Sequence, residues 1–467
     1  MFNRKPAWLT LIAVLALALL LAACGDDAAP DDEPDDEPVD EPDEVDDPDD
    51  EPVDDVSGEV TILHAFTGEE DVGGLNAILD DFMAEYPNVT VLEEGTGDFE
   101  SLARTRIGAG NPPDIILHPQ PGLLEDFWNQ GVVEPLDDVV DRGQLEADAV
   151  PGLLDLVTFN DELYGVPLRL SLKSLVWYSP ATFEAGGYEV PETWDDLMDL
   201  TEQMAADDVV DAPWCIGMES GDATGWVATD WVEDLILRTE GPEAYDQWVA
   251  GELLFSSDEV KNTIEEYMEP IWFNDEYVFG GTAQIPREPF GTAVNGILTD
   301  PPECGLHRQA TFIEGFIEEF DPDAEFGVDY DFFYFPGIDP EWGNPTMGGG
   351  DFAALYTDNE AAEVLLEWLT TPESGEGWAA QGGFLSPYAP VFDDSVYPSD
   401  SARTASEILA EADSFRFDGS DLMPGDVGSS SQSGSFWIEM TEWVAGQKSL
   451  DDALAAIDEL YAEVRGD

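Results

Sequence analysis

Short apolar runs alternate with helical patterns from residue 58 onward, and this alternation constrains the fold more than any other feature. Residues 60–63 and 89–92 are typical of buried strands, and the apolar side chains between them recur at helical spacing until Pro87. A helix predicted over residues 100–107 precedes a third strand at 114–117. Strands separated by helices at this interval predict an α/β fold with a mostly parallel sheet and right-handed crossovers.

Polar loops follow each of these three predicted strands. They span residues 64–70, 95–98 and 118–121, and they carry glycines, prolines and hydrogen-bonding side chains. In open parallel sheets, ligands bind beyond the carboxyl ends of the strands. The sequence therefore predicts a small-molecule site formed by these loops.

The chain is strongly acidic. It has 467 residues, with 105 Asp and Glu against 15 Lys and Arg, and a formal net charge of −90. A field of this sign repels nucleic acid and anionic membranes, so no nucleic-acid partner is expected. The 43% of hydrophobic and 11% of aromatic residues still supply a packed core, and the length favours two or three domains.

The acidic residues fall into two sets. Residues 26–55 contain 19 acids and 6 prolines without a basic residue, which predicts an extended, disordered tether. Residues 57–467 still have 86 acids against 13 bases. We interpret this as halophilic adaptation, because about 1 M salt shortens the Debye length to about 3 Å and screens the self-repulsion. An ordinary acidic secreted protein is the alternative.

The N-terminus has the pattern of a lipoprotein signal peptide over residues 1–23. Arg4 and Lys5 precede a short apolar run, which ends in Leu-Ala-Ala before Cys24. This matches the bacterial lipobox, in which the cysteine is acylated, so Cys24 is predicted to anchor the chain to the membrane. Residues 24–57 would then be the lipid-bearing cysteine and tether of an exported protein on the outer face of the cytoplasmic membrane. An ordinary signal peptide with a chance cysteine is the alternative.

Two further cysteines, Cys215 and Cys304, remain in the predicted body. In an exported protein an even remainder favours a disulfide, with two buried thiols as the alternative. The three histidines are far apart and no C-x-x-C pair occurs, so neither a metal nor a cofactor is expected.

Several motifs, in order along the chain, resemble those of the extracellular solute-binding proteins of ABC importers. Residues 82–91 read F-x-x-x-Y-P-N-V-x-V and residues 108–116 read G-x-G-N-P-P-D-I-I. The resemblance continues to the C-terminus and is to the carbohydrate-binding cluster, which includes maltose-binding proteins. Residues 214–217 and 304–310 look most like those of α-glucoside receptors.

This resemblance implies a type II periplasmic-binding-protein fold. Each of two lobes would be a mostly parallel sheet flanked by helices, and three hinge crossings would join the lobes. Lobe one would comprise residues 58–168 and 348–395, and lobe two residues 169–347 and 396–467. Both Cys215 and Cys304 then fall in lobe two, as a disulfide within one rigid body requires.

The resemblance also implies a function: a monomeric, non-enzymatic receptor that closes on a sugar, an α-glucoside or related oligosaccharide, and delivers it to an ABC permease. A sugar has apolar C–H faces and a rim of hydroxyls, so its site needs flat aromatic side chains and polar groups at their edges. The candidate ligand-binding residues are Glu70, His118, Gln120, Lys173, Trp226, Trp231, Arg308, Asp351, Phe352 and Trp437.

These candidates and this function have alternatives. The alternatives for the residues are that the tryptophans are core residues, that Lys173 and Arg308 pair with some of the many acids, and that His118 is a loop histidine with structural partners. An ABC binding protein for a compatible solute, polyamine or peptide is the alternative function. A secreted glycoside hydrolase is remote: acidic pairs carry no information here, and neither H-E-x-x-H nor G-x-S-x-G occurs.

Overall fold

The computed structural model describes residues 56–379, 384–388 and 399–466, without the side chains of residues 69, 70, 372, 373 and 376. The predicted signal peptide, Cys24 and the acidic tether lie outside the described residues. Within the described part of the chain, none of the helices has both the length and the apolar character needed to cross a membrane.

Strands and helices alternate through most of the described chain. The strands are β1 (Gly58–His64), β2 (Val89–Gly95), β3 (Ile115–His118), β4 (Thr158–Phe159), β5 (Glu162–Leu163), β6 (Val166–Leu172), β7 (Leu175–Tyr178), β8 (Ala212–Trp214), β9 (Cys304–Arg308), β10 (Asp331–Tyr334), β11 (Pro345–Leu355) and β12 (Ser414–Phe417). The α-helices are α1 (Glu69–Glu85), α2 (Phe99–Gly108), α3 (Pro121–Asn129), α4 (Arg142–Asp148), α5 (Pro180–Gly186), α6 (Trp194–Ala206), α7 (Trp226–Thr239), α8 (Gly241–Val249), α9 (Asp258–Thr263), α10 (Glu269–Trp272), α11 (Phe290–Ala293), α12 (Ile313–Phe320), α13 (Glu360–Leu369), α14 (Glu376–Ala379), α15 (Asp400–Glu411), α16 (Gly419–Leu422), α17 (Phe436–Val444) and α18 (Leu450–Arg465).

The first sheet has six strands and confirms the α/β prediction. β2, β1 and β3 are neighbours and run parallel. β11 lies antiparallel beside both β3 and β6, and its first residues pair in parallel with β12. The apolar stripe of α1 is buried against this sheet, with Ile78 and Phe82 fully inaccessible, and the helix ends two residues before Pro87.

The second sheet has the order β10-β7-β9-β8, and here the expectation of a mostly parallel sheet in each lobe was wrong. Only β8 and β9 pair in parallel, whereas β7 runs antiparallel to both β9 and β10. The alternation of strands and helices over residues 58–118 predicted one mostly parallel sheet, and the resemblance extended this expectation to both lobes. That alternation does not extend to this sheet, in which two or more helices separate β7 from β8 and β8 from β9, and one helix separates β9 from β10.

The strands β6 and β11 pair side by side in the first sheet, and these two crossing strands position the site. Their paired residues run from Leu172 opposite Gly348 to Val166 opposite Ala353, with an irregularity between Asp351 and Phe352. A Cβ atom on Gly350 would lie 2.5 Å from the carbonyl oxygen of Arg169. Glycine at this position therefore allows the two strands to approach closely.

A disulfide joins Cys215, directly after β8, to Cys304, at the start of β9, as predicted. The Cα atoms are 5.6 Å apart and the cysteines are 89 residues apart in sequence. Because β8 and β9 are neighbours in the second sheet, the bond lies within one layer of the fold. The boundaries proposed for the two lobes stay a prediction.

Candidate functional site

A cavity of about 180 Å³ lies at the carboxyl ends of β1, β2 and β3. Residues from each of the three predicted loops line it, including Phe66, Thr96 and Gln120. Its base is formed by the crossing strands β6 and β11, and its far wall by residues from α7, α11, α12, α16 and α17. This position agrees with the site expected from the sequence.

Aromatic rings form much of the wall. They belong to Phe66, Phe99, Trp226, Phe290, Phe312, Phe316 and Trp437. The ring of Trp226 is held by edge contacts to Phe290 and Phe312, with centroids 5.1 and 5.9 Å away. Flat rings held in this way offer apolar faces on which a ligand can stack.

Gly225 brings two of these aromatic residues together. It precedes Trp226 at the start of α7, has φ of 126°, and lies so close to α17 that a Cβ atom would be 2.2 Å from the carbonyl oxygen of Trp437. Both the backbone angle and the space require glycine. The contact places the first turn of α7 directly against the first turn of α17.

Arg169, on β6, is a buried cation at the base of the cavity. Its guanidinium donates to Asp351 on β11 (2.7 Å) and to Asp71 on α1 (2.5 Å). It also lies over the rings of Phe66 and Trp378, at 4.4 and 4.7 Å from their centroids. Burial lowers the pKa of Arg169, but the two carboxylates outweigh burial and raise it, so the side chain stays charged.

Lys173, immediately after β6, is a second buried cation. Its ammonium group donates to Asp230 on α7 (3.0 Å) and to Asp418, the N-cap of α16. It also lies 5.5 Å from the ring centroid of Trp226. Burial lowers the pKa of Lys173, and the neighbouring carboxylates more than offset this effect and raise it.

Two further carboxyl groups that line the cavity differ from those paired with these cations. Glu100, on α2, accepts a hydrogen bond from Gln120 Nε2 (2.9 Å), and burial raises the pKa of Glu100 to about 7. Asp421, on α16, is also buried, and its side chain has no hydrogen-bond partner among the described residues. Burial and the neighbouring Asp418 raise the pKa of Asp421 well above its usual range.

Five of the ten predicted ligand-binding residues line the cavity: Gln120, Lys173, Trp226, Asp351 and Trp437. They come from α3, the end of β6, α7, β11 and α17, and the fold brings them together around one space. Glu70 lies in the first turn of α1, and its side chain is outside the described part of the structure. The binding of a ligand by these residues is a proposal.

Four predicted residues lie in the core and do not line the cavity, which corrects the expectation for them. His118 bonds Tyr356 through Nε2 (2.7 Å), and burial lowers the pKa of His118 to about 3. Trp231 packs among core rings because, five residues after Trp226, it lies about 140° around α7. Arg308, on β9 of the second sheet, pairs with Asp234 on α7 at 2.7 Å.

Phe352 is the fourth of these core residues. It directly follows Asp351 on β11, and successive side chains of a strand point to opposite faces. Asp351 therefore reaches the cavity while Phe352 packs on Phe417, with ring centroids 5.8 Å apart.

Several cavity residues were missed as candidates. Asp71, Glu100, Asp418 and Asp421 could not be told apart from the many other acids, whereas Arg169 was noticeable as one of few bases. Glu100 had one usable signal, because it lies two residues after the loop at residues 95–98. Asp418 and Asp421 lie in a segment that carries no motif.

Three buried carboxylates, from Asp230, Glu233 and Asp418, bring oxygen atoms within 4.8 Å of one another. The ammonium group of Lys173 bonds two of these three residues. The backbone N–H groups of Gly419 and Ser420 donate to the third, Glu233. The protein's own donors thus reach all three carboxyl groups, while one oxygen, Oδ2 of Asp230, is buried without a hydrogen-bond partner among the described residues.

The two sheets, the paired crossing strands and the cavity against them are those of a type II periplasmic-binding-protein fold. The bacterial solute receptor AcbH, which is described as having an exclusive preference for β-D-galactopyranose, superimposes with a TM-score of 0.72 at 17% identity, over 88% of this chain and 100% of that one. Maltose-bound MalE3 of T. maritima gives a TM-score of 0.67 at 17% identity, over 87% and 99% of the two chains.

Residues 67–376 match the family of bacterial extracellular solute-binding proteins, and the chain belongs to this family. The α-glucosides-binding periplasmic protein AglE of Rhizobium meliloti is 40% identical, over 85% of this chain and 86% of AglE. The osmoprotective compounds-binding protein GgtB of Synechocystis is 38% identical, over 83% of this chain and 89% of GgtB.

Glu100 should make stability depend on pH. The pKa of Glu100 is about 7 in the folded chain and about 4.3 in an unfolded one, so its neutral form stabilises the fold fully below pH 4.3. This stabilisation is lost as pH rises through 7, by about 3 kcal/mol. Urea unfolding of wild type and Glu100→Gln at pH 4.5 and 8 should show the difference between them changing by this amount, with the variant relatively more stable at pH 8.

The exposed glutamate Glu252, away from the cavity, provides the matched control, and Glu252→Gln should keep the pH dependence of the wild type. If Glu100→Gln also kept it, the carboxyl of Glu100 would be ionised in the folded protein.

Proposed function

We propose that this protein is the extracytoplasmic binding receptor of an ABC sugar importer. In this proposal the two lobes close around an α-glucoside or a related small sugar, and the closed form docks on the permease. Such a protein binds its ligand without chemical change, so no catalytic residues are assigned. The names of AglE and of the sugar-bound structural relatives support this choice of ligand class.

The observation that carries the proposal is the combination of ring faces and fixed polar groups around one small cavity. Trp226 and Trp437 offer apolar surfaces suited to the C–H faces of a pyranose. Gln120, Asp351 and Ser420 lie on the same lining and can accept or donate hydrogen bonds to hydroxyls. Because Arg169 and Asp351 already hold each other, the polar groups are oriented before the ligand arrives.

A compatible solute is the second candidate ligand. The specific observation in its favour is the 38% identity to GgtB, whose name gives osmoprotective compounds as its ligands. An acidic cavity with aromatic walls also fits a quaternary ammonium group. The two proposed functions therefore differ in the ligand that is bound, and in both of them the protein acts as a receptor.

Isothermal titration calorimetry in about 2 M KCl should distinguish these ligands. We expect heat from at least one of maltose, trehalose and sucrose, and none from glycine betaine. Trp226→Ala should weaken sugar binding at least about tenfold, because a stacked ring contributes about 1.5–3 kcal/mol.

Trp128→Ala is the matched control, since Trp128 packs on Phe159 and Tyr164 away from the cavity and should leave affinity unchanged. Heat from glycine betaine alone would favour the compatible-solute function. No heat from any sugar would rule out the sugar receptor.

We further propose that Cys24 carries the lipid anchor and that residues 26–55 hold the receptor away from the anionic membrane. The support is the lipobox that ends at Cys24 and the presence of 19 acids among residues 26–55. Expressed with its full N-terminus in a bacterial host, the protein should fractionate with membranes, and Cys24→Ser should not. Equal membrane association of both forms would exclude acylation at Cys24.

The excess of acids in the folded body leads us to propose adaptation to high salt. At low ionic strength the uncompensated carboxylates repel one another, and salt screens this repulsion. The midpoint temperature of thermal unfolding should therefore rise between 0.1 and 2 M KCl, as measured by circular dichroism. A midpoint that stayed constant or fell with salt would identify an ordinary acidic secreted protein.

A further inference from the structure

The carboxyl groups around the cavity are not all compensated by cations. The two basic side chains of its lining, Arg169 and Lys173, are each held by two carboxylates. This accounts for Asp71 and Asp351 on one side and for Asp418 on the other. Glu100 and Asp421 remain, and neither forms an ion pair with a described residue.

Both of these remaining carboxyl groups are withdrawn from water but face the cavity. Glu100 is 7% and Asp421 8% exposed, and both belong to the lining. The nearest base that influences Glu100, Arg104, is itself shared between Asp126 and Asp426. Glu100 in turn raises the pKa of Asp421, so the two carboxyls disfavour each other's charge.

A buried, unpartnered acceptor adds to this arrangement. Gln120 donates its amide N–H to Glu100, while its Oε1 atom is buried and has no partner among the described residues. This region therefore offers hydrogen-bond acceptors that lack a donor among the described residues: the carboxyl of Asp421 and the oxygen of Gln120. A ligand group placed here must supply donors, and a positive charge would also compensate the carboxylates.

We propose that the Glu100–Asp421 region of the cavity selects ligands by charge, binding a protonated amino group on a glucoside more tightly than the hydroxyl it replaces. The ligand class is then amino sugars together with neutral sugars, and a sugar bearing a carboxylate or phosphate at this position is rejected. The inference rests on the proposed sugar-binding function and adds charge selectivity to it.

A hydroxyl and an ammonium group differ in how fully they satisfy the carboxyl groups of Glu100 and Asp421. A hydroxyl satisfies an ionised carboxylate only in part, so a neutral sugar is bound best when Glu100 and Asp421 are protonated. An ammonium group forms charge-assisted hydrogen bonds, which are about twice as strong as neutral ones. Salt screens a buried pair less than an exposed one, so the preference persists in a salty medium.

The experiment is calorimetry in 2 M KCl at pH 7 with matched ligands. The neutral ligand is methyl α-D-glucoside, or the disaccharide that binds best in the panel above. It is compared with forms that carry an amine at C2, C3 or C6 in place of the hydroxyl, and with the C6 carboxylate. We expect at least one amino form to bind about tenfold more tightly than its parent, and the carboxylate to bind at least about tenfold more weakly.

Glu100→Gln and Asp421→Asn should each bring the ratio of amino to neutral affinity close to one, because they keep an acceptor oxygen and remove the charge. Glu252→Gln, which removes a charge from an exposed position away from the cavity, should keep the wild-type ratio. The comparison of ligands on the wild-type protein does not depend on whether these variants fold.

The outcomes separate this inference from the proposed function. If the neutral sugar binds and every amino form binds equally or more weakly, the charge selectivity is overturned and the sugar receptor stands. If the carboxylate binds as well as the parent, the selectivity is likewise overturned. If neither neutral nor amino glucosides bind, both proposals fail.

Discussion

Four carboxylates hold the two cations of the crossing strand β6, and the arrangement of the cavity depends on these ion pairs. Arg169 connects β6 to α1 and β11, and Lys173, just beyond the strand, connects it to α7 and α16. Removing one partner of a buried pair leaves an uncompensated charge and typically costs 3–5 kcal/mol. Elements that are distant in sequence are thereby fixed around one small space, with their aromatic residues on its wall. Arg169 and Lys173 thus both connect these elements and line the cavity, as do three of their partners, Asp71, Asp351 and Asp418.

The interior of this acidic protein handles its carboxyl groups in two ways. Some are paired with scarce bases, as Asp351 is with Arg169. Others have their pKa raised by burial, as Glu100 and Asp421 do, and so carry a proton more readily than surface acids. Surface acids are screened by salt, but salt ions do not reach buried groups in the same way. Ion pairing and protonation therefore replace screening inside the fold.

Local patterns predicted the elements that begin the fold, because helical and strand periodicities are short-range properties of sequence. They located β1 to β3, α1 and the polar loops that line the cavity. The even number of remaining cysteines predicted the disulfide between Cys215 and Cys304. The local patterns did not predict the antiparallel second sheet, whose pairings join distant segments. Residue type alone could not separate Trp226, on the cavity, from Trp231, in the core, because that depends on the rotation of α7 against its neighbours. The acidic lining residues could not be distinguished by sequence from the many other acids of the chain.

Gly225 sets a limit on how the cavity can diverge among descendants of this chain. Either neighbouring tryptophan can be exchanged for another flat ring, which would retune the shape offered to a ligand. Position 225 has no such freedom, since any side chain would collide with the backbone of Trp437 and would also need an unfavourable φ. A lineage that changes its ligand is thus expected to vary the rings and retain the glycine. The first turns of α7 and α17 are therefore expected to keep their separation, because no side chain at position 225 fits between them.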